Sequence, residues 1–193
     1  MSFFARLLTF WIPCSRSRKD ARRRIINWFL SRRVRSRAES VGRGLRVAGR
    51  NVVSRRTRIG DFVSLNGVHV HGSGAVSIGS YTRIGTETLV LSQNHNYDTG
   101  SLLPYDPEVY VAKNVEIGEC VWIGARVTIL PGTKIGEGAV IQAGAVVHGE
   151  IPALAVAGGN PAKVFARRDA AHYEELKSRG AFIGLAQGGN RAE

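Results

Sequence analysis

Residues 111–147 read VAKNVEIGECVWIGARVTILPGTKIGEGAVIQAGAVV. An aliphatic residue returns at every sixth position, at Val111, Ile117, Ile123, Ile129, Ile135, Ile141 and Val147. Gly118, Gly124 and Gly136 follow three of them. Four positions beyond each aliphatic the residue is small or β-branched: Val115, Val121, Val127, Thr133, Ala139 and Ala145. A period of six matches neither an amphipathic α-helix nor a long alternating strand. It fits a short strand and a turn, repeated, with three such units closing a triangular coil of about 18 residues and coils stacking about 4.8 Å apart. The aliphatic is expected inside, on its counterpart one coil away. Gly is expected where the chain turns a corner in a conformation that penalises a side chain.

The pattern extends upstream through Val47, Val53, Ile59 and Leu65, with Gly60 and the inward Thr57 and Val63. After a slip of one residue it resumes at Ile78, Ile84 and Val90, with Gly79, Gly85, Thr82 and Thr88. His71 falls in an inward phase, His69 and His148 on the coil surface, and His172 in a C-terminal helical stretch. The repeat therefore predicts a mainly β chain, a parallel β-helix over roughly residues 45–158, broken once between Val90 and Val111. A regular solenoid has a smooth surface, so a site needs a loop thrown out from it or a neighbour against it. Residues 92–110 form such an excursion, opening with Gln93-Asn94-His95-Asn96-Tyr97-Asp98. His95 is the histidine best placed for chemistry, although by composition alone it reads equally as a polar loop residue.

The column, the Asn94–Asp98 segment, Val121-Trp122-Ile123-Gly124-Ala125, Ile129-Leu130-Pro131-Gly132 and the ending Ala157-Gly158-Gly159-Asn160-Pro161-Ala162-Lys163 together resemble the hexapeptide-repeat acyltransferases. The likeness covers about residues 45–168 and points to the maltose, galactoside and polysaccharide O-acetyltransferase branch. It implies a left-handed β-helix, a homotrimer, and acetyl-CoA as co-substrate in the groove between neighbours. It also implies a loop His, matched by His95, acting as general base on a sugar hydroxyl. An oxyanion donor and pantetheine contacts are implied around Gly124, Ala125 and Ala143, the last two one coil apart. Trp122 either borders the active site or packs under the excursion. Lys163 and Arg167, with Arg168 nearby, suit CoA phosphates or form a solvated basic end. Asn66 and Asn94 are candidates for acceptor binding. One departure concerns the acceptor: related sugar acetyltransferases carry an acidic residue near it, and Gly72-Ser73-Gly74-Ala75 has none.

The 193 residues carry a formal charge of +12, concentrated at one end: residues 1–58 hold +15 and residues 59–193 hold −3. Such a basic appendage on a slightly acidic body argues against a catalytic body shaped for nucleic acid. Three units are expected: a basic helical segment 1–40, a β-helix 41–168 with its loop 92–110, and a C-terminal helix and tail 169–193. From Asp20 to Arg37 the residues Ile25, Ile26, Trp28, Phe29, Leu30 and Val34 read as one apolar side of an amphipathic helix ringed by Arg, after the apolar Phe3, Phe4, Leu7, Leu8, Phe10, Trp11 and Ile12. Residues 1–38 are expected either at an anionic membrane surface or packed on the trimer; nucleic acid is the weaker partner. No run of about 20 apolar residues spans a bilayer and no cleavage site follows the N-terminal run, so a cytoplasmic protein, peripheral on the inner membrane face, is the expectation. Cys14 and Cys120 carry no disulfide or metal-ligand spacing. A γ-carbonic-anhydrase-like hydratase would need an H-x-x-x-x-H spacing that is absent, and no metal is expected. Serine or amino-sugar acetylation and a non-catalytic β-helix are the competing readings of the same repeat.

Overall fold

The computed structural model describes residues 16–183. The apolar Phe3–Ile12 run, Cys14 and the residues after 183 lie outside them. Helix α1 (Arg16–Arg35) leads into a parallel β-helix, and helix α2 (Ala170–Ser178) follows it. The chain winds through three faces in turn. The first is built of Ser40–Val41, Thr57–Ile59, Val76–Ile78, Val115–Ile117, Lys134–Ile135 and Glu150–Ile151. The second is built of Arg46–Ala48, Ser64–Asn66, Arg83–Ile84, Trp122–Ile123, Val140–Ile141 and Ala155–Gly158, with Lys163–Arg167 added antiparallel at its end. The third holds His69–His71, Leu89–Leu91, Thr128–Ile129 and Val146–Val147.

The inward ladders are those the period predicts. Ile59, Ile78, Ile117, Ile135 and Ile151 line the first face, and Leu65, Ile84, Ile123 and Ile141 the second, all buried. Thr82, Thr88 and Thr133 point inward as well, and their hydroxyls donate to the carbonyls of Gly118 (2.8 Å), Gly85 (3.1 Å) and Leu130 (2.7 Å). A buried hydroxyl is tolerated because a corner carbonyl receives it. Each coil reads only its neighbours, so an excursion leaves the ladders in register: Val76 pairs with Val115 and Ile84 with Ile123 across the whole loop.

Three expectations change. Val111 lies on the excursion strand Asp106–Ala112 and is exposed; the inward ladder restarts at Val115. His71 is exposed, and Val70 takes the inward position, the slip being absorbed in the corner Gly72–Ala75 where Gly72 has φ +114°. The repeat glycines, thirdly, are not the residues with positive φ. That conformation falls two residues later, at Phe62, Tyr81, Glu87, Cys120 and Arg126, with φ between 53° and 61°. Gly60, Gly79, Gly118, Gly124 and Gly136 are required by close approach instead. A Cβ on Gly79 would sit 2.4 Å from the carbonyl carbon of Gly118, and one on Gly124 would sit 2.5 Å from the amide of Ala143.

The single apolar side expected of α1 divides in two. Val34 is buried against the first coil beside Leu30, and Asn27 Oδ1 accepts from the Val47 amide at 2.6 Å, so this side caps the open end of the prism. Ile25, Ile26, Trp28 and Phe29 face outward and are 40–55% exposed. At the edge between the first and second faces, α2 begins at an N-cap, Asp169, which accepts from the His172 amide at 2.9 Å. Its Tyr173 and Lys177 both donate to Glu137, and this holds the Glu137 carboxyl below the ordinary carboxylate value. Phe182 stacks on Tyr81 at 4.0 Å, and Tyr81 on Phe62 at 5.6 Å.

Two outcomes follow from these contacts. Gly79→Ala should lower unfolding stability by about 1–3 kcal/mol, because the obstacle is backbone and has no rotamer to escape into; a urea midpoint equal to wild type would contradict the close-approach account. Because the folded Glu137 carboxyl is depressed, its stabilisation is present above the ordinary carboxylate value and is lost as pH falls through the folded one. Amide exchange in Ala170–Ser178 should therefore accelerate in acid. Glu137→Gln should accelerate it already at neutral pH and flatten the acid step.

Candidate active site

The excursion leaves at the edge between the third and first faces. Its two arms, Gln93–Asn96 and Asp106–Ala112, form an antiparallel ribbon with Tyr110 opposite His95. The ribbon stands on the corner Gly72–Ala75. Gln93 Oε1 accepts from the Ser73 amide (2.8 Å) and Asn114 Oδ1 from the Ala75 amide (2.9 Å). A Cβ on Gly74 would lie 2.5 Å from the Ser92 carbonyl oxygen. Gly72 and Gly74 are small because the base of the loop rests on the backbone of this corner. Farther out, Asp106 accepts from the Ser101 amide (2.9 Å) and hydroxyl (3.2 Å), tying the tip.

His95 is half-buried between two tyrosine rings, Tyr105 at 4.1 Å and Tyr110 at 4.5 Å between centroids. Its Nδ1 is enclosed with no hydrogen-bond partner among the described residues, so Nε2 is the nitrogen left open. The ring borders a concavity of about 270 Å³ shared with Asn94, Asn96, Asp98, Lys113 and Pro131. The two tyrosines and Lys113 are absent from the expected set. The tyrosines' place inside the excursion was the available signal, but only the ribbon register puts them against His95.

The other expected residues lie on different edges. Gly124, Ala125 and Ala143 stack at the edge between the second and third faces, and Asn66 joins them, donating from Nδ2 to Thr86 Oγ1 at 2.8 Å. The Gly124 amide is already spent on the Ile141 carbonyl (2.8 Å) and is not a free oxyanion donor. Among the described residues no acceptor takes the N–H of Ala125 or of Ala143. Lys163 and Arg167 are exposed on the return strand, where Arg167 reaches the Ala153 carbonyl at 3.5 Å. Arg168 instead donates to the Gly138 carbonyl and lies over the Tyr173 ring.

Trp122 does not pack under the excursion. It stands 62% exposed on the second face and lines a separate hollow with Tyr81, Arg83, Tyr173 and Phe182. Burial pushes up the Cys120 thiol and the Tyr173 phenol in that hollow. One chain thus brings Asn94 together with His95 and keeps Asn66, the small-residue edge and Trp122 away from them.

Residues 106–149 match the family model described as bacterial transferase hexapeptide (six repeats). The chain is 36% identical over 132 residues to WbbJ of Escherichia coli strain K12, assigned as a lipopolysaccharide biosynthesis O-acetyl transferase, covering 64% of this chain and 65% of that protein. It is 38% identical over 106 residues to an Escherichia coli chloramphenicol acetyltransferase, covering 47% and 50% respectively. The chain thus spans between half and just under two thirds of the length of these curated relatives. A hexapeptide-repeat acetyltransferase from Vibrio cholerae, solved with acetyl coenzyme A, superposes with a TM-score of 0.63 at 27% identity, covering 70% of this chain and 74% of that one. In repeat, fold and relatives alike, the chain is similar to the hexapeptide-repeat acetyltransferases.

Proposed function

We propose that the protein transfers an acetyl group from acetyl-CoA to a hydroxyl of a saccharide, in the assembly of surface polysaccharide or lipopolysaccharide, with His95 as general base. The observation that carries this reading is the His95 imidazole clamped between Tyr105 and Tyr110 with only Nε2 open to the concavity. Acetyl-CoA supplies an activated thioester. The amides of Ala125 and Ala143, which meet no acceptor among the described residues, and their small side chains along one edge fit the hydrogen-bonding needs of a thin pantetheine arm. Lys163 and Arg167 at the end of the same prism suit its phosphates. His95 Nε2 takes the proton of the attacking hydroxyl and returns it to the departing thiolate sulfur. Asn94 and Asn66 are proposed to orient the acceptor.

The edge that carries His95 and the edge that carries Ala125 and Ala143 are different edges of one prism. A second copy, set parallel, would bring its small-residue edge to the first copy's excursion, and the reading therefore includes a homotrimer. The loop supports it, because Leu102, Leu103, Val109 and Tyr110 are apolar and exposed in the single chain, Leu103 by 96%.

The reading also places α1 at an anionic membrane surface, as a peripheral protein on the inner face of the cytoplasmic membrane. Ile25, Ile26, Trp28 and Phe29 form an exposed apolar strip, Arg32 lies over the Trp28 ring at 4.9 Å, and Arg33 and Arg35 flank it. No helix among the described residues is long and apolar enough to cross a membrane.

His95→Ala should reduce acetyl transfer to a saccharide acceptor by about 10²–10⁴-fold with unchanged thermal stability; turnover within a few-fold of wild type would remove His95 from the mechanism. Exchanging Trp28 and Phe29 together for Glu should abolish co-sedimentation with phosphatidylglycerol vesicles. Retained binding by that variant, or equal binding of wild type to neutral phosphatidylcholine vesicles, would refute the membrane contact.

A further inference from the structure

Arg83 and Trp122 are register partners on consecutive coils of the second face, so their side chains leave the prism side by side. Both line the hollow of about 220 Å³ that α2 and Phe182 close against the first–second edge. Arg83 Nε is enclosed there and meets no acceptor among the described residues. Burial, and the charge of Arg46 two coils back in the same outward column, lower the pKa of its guanidinium. The two other cations of the hollow are committed, Lys177 to the Glu137 carboxylate and Arg168 to the Gly138 carbonyl and the Tyr173 ring. Among the described residues, no Asp or Glu lines the hollow. An enclosed guanidinium N–H without an acceptor is costly, and an anion is the group that relieves it. Beside it, the exposed Trp122 ring offers a flat apolar face of the kind that covers the C–H side of a sugar or another ring.

We propose that this hollow is an anion subsite in which Arg83 binds a phosphate or carboxylate borne by the sugar acceptor that reacts at a neighbouring copy's His95, while Trp122 covers the ring. The planar guanidinium accepts such a group in bidentate fashion, which Lys would not. The assignment of the ligand as the acceptor rests on the acetyl-transfer reading.

Calorimetric titration of the full-length protein with glucose 1-phosphate, glucose, inorganic phosphate and CoA tests the proposal without turnover. Glucose 1-phosphate should bind about tenfold or more tighter than glucose, and Arg83→Gln should erase that difference and the binding of inorganic phosphate. Arg83→Lys should recover it only in part, which separates loss of the fork from loss of packing. Trp122→Ala should weaken glucose 1-phosphate and spare inorganic phosphate. Equal binding of the two sugars, or no saturable binding of either phosphate compound, overturns the subsite. A fall in CoA affinity with Arg83→Gln while the sugars are unaffected overturns it too, assigning the hollow to the donor's phosphates. Because His95→Ala should keep glucose 1-phosphate binding while losing acetyl transfer, failure of the catalytic reading and failure of the subsite give different results.

Discussion

Everything in this molecule hangs on how closely one coil lies on the next at the corners. The strands are only two or three residues long over most of the column, too short to be stable singly, and they persist because each amide donates to the coil above while an aliphatic side chain rests on its counterpart. At the corners the backbones converge until a Cβ at Gly79, Gly118, Gly124 or Gly136 would lie under 3 Å from backbone atoms of the adjoining coil. Glycine there is a spacing element. The conformational strain sits two residues on, where Phe62, Tyr81, Cys120 and Arg126 hold positive φ at a cost of roughly 1–2 kcal/mol each. Phe62 and Tyr81 offset part of that cost by stacking on one another along the edge.

This division of labour explains what could be read in advance. A six-residue period is a property of the core, and the core is where the sequence has least freedom, so Ile117 to Val147 appear in the structure where the pattern places them. Val111 fails because the period carries on by coincidence into a strand that belongs to the excursion, and nothing in an aliphatic residue itself reveals which sheet it pairs with. His71 fails because a corner absorbed one extra residue, a matter of local backbone that hydrophobic spacing does not record. The α1 reading mistook two apolar strips for one, since composition by itself does not say which strip meets the prism.

The candidate site was legible in part for a similar reason. His95 announced itself by interrupting the period, and the ribbon confirms its place on an outlying loop. Its two tyrosine neighbours are ten and fifteen residues away along the chain and reach it only through the register of the ribbon. Arg83 gave no signal, since an arginine at an outward repeat position is ordinary until the return of the C-terminal segment encloses it. Positions set by long-range closure stay hidden from pattern, whereas positions set by the repeat do not.

The loop that carries His95 enters and leaves between two coils that pair as though it were absent, Val76 with Val115 and Ile78 with Ile117. The cost of closing such a loop grows only slowly with its length, roughly 0.6 kcal/mol for each doubling. The column therefore behaves as a rack and the excursion as a cartridge. Length, tip and outward side chains of the loop can be exchanged over evolutionary time without re-registering a single ladder.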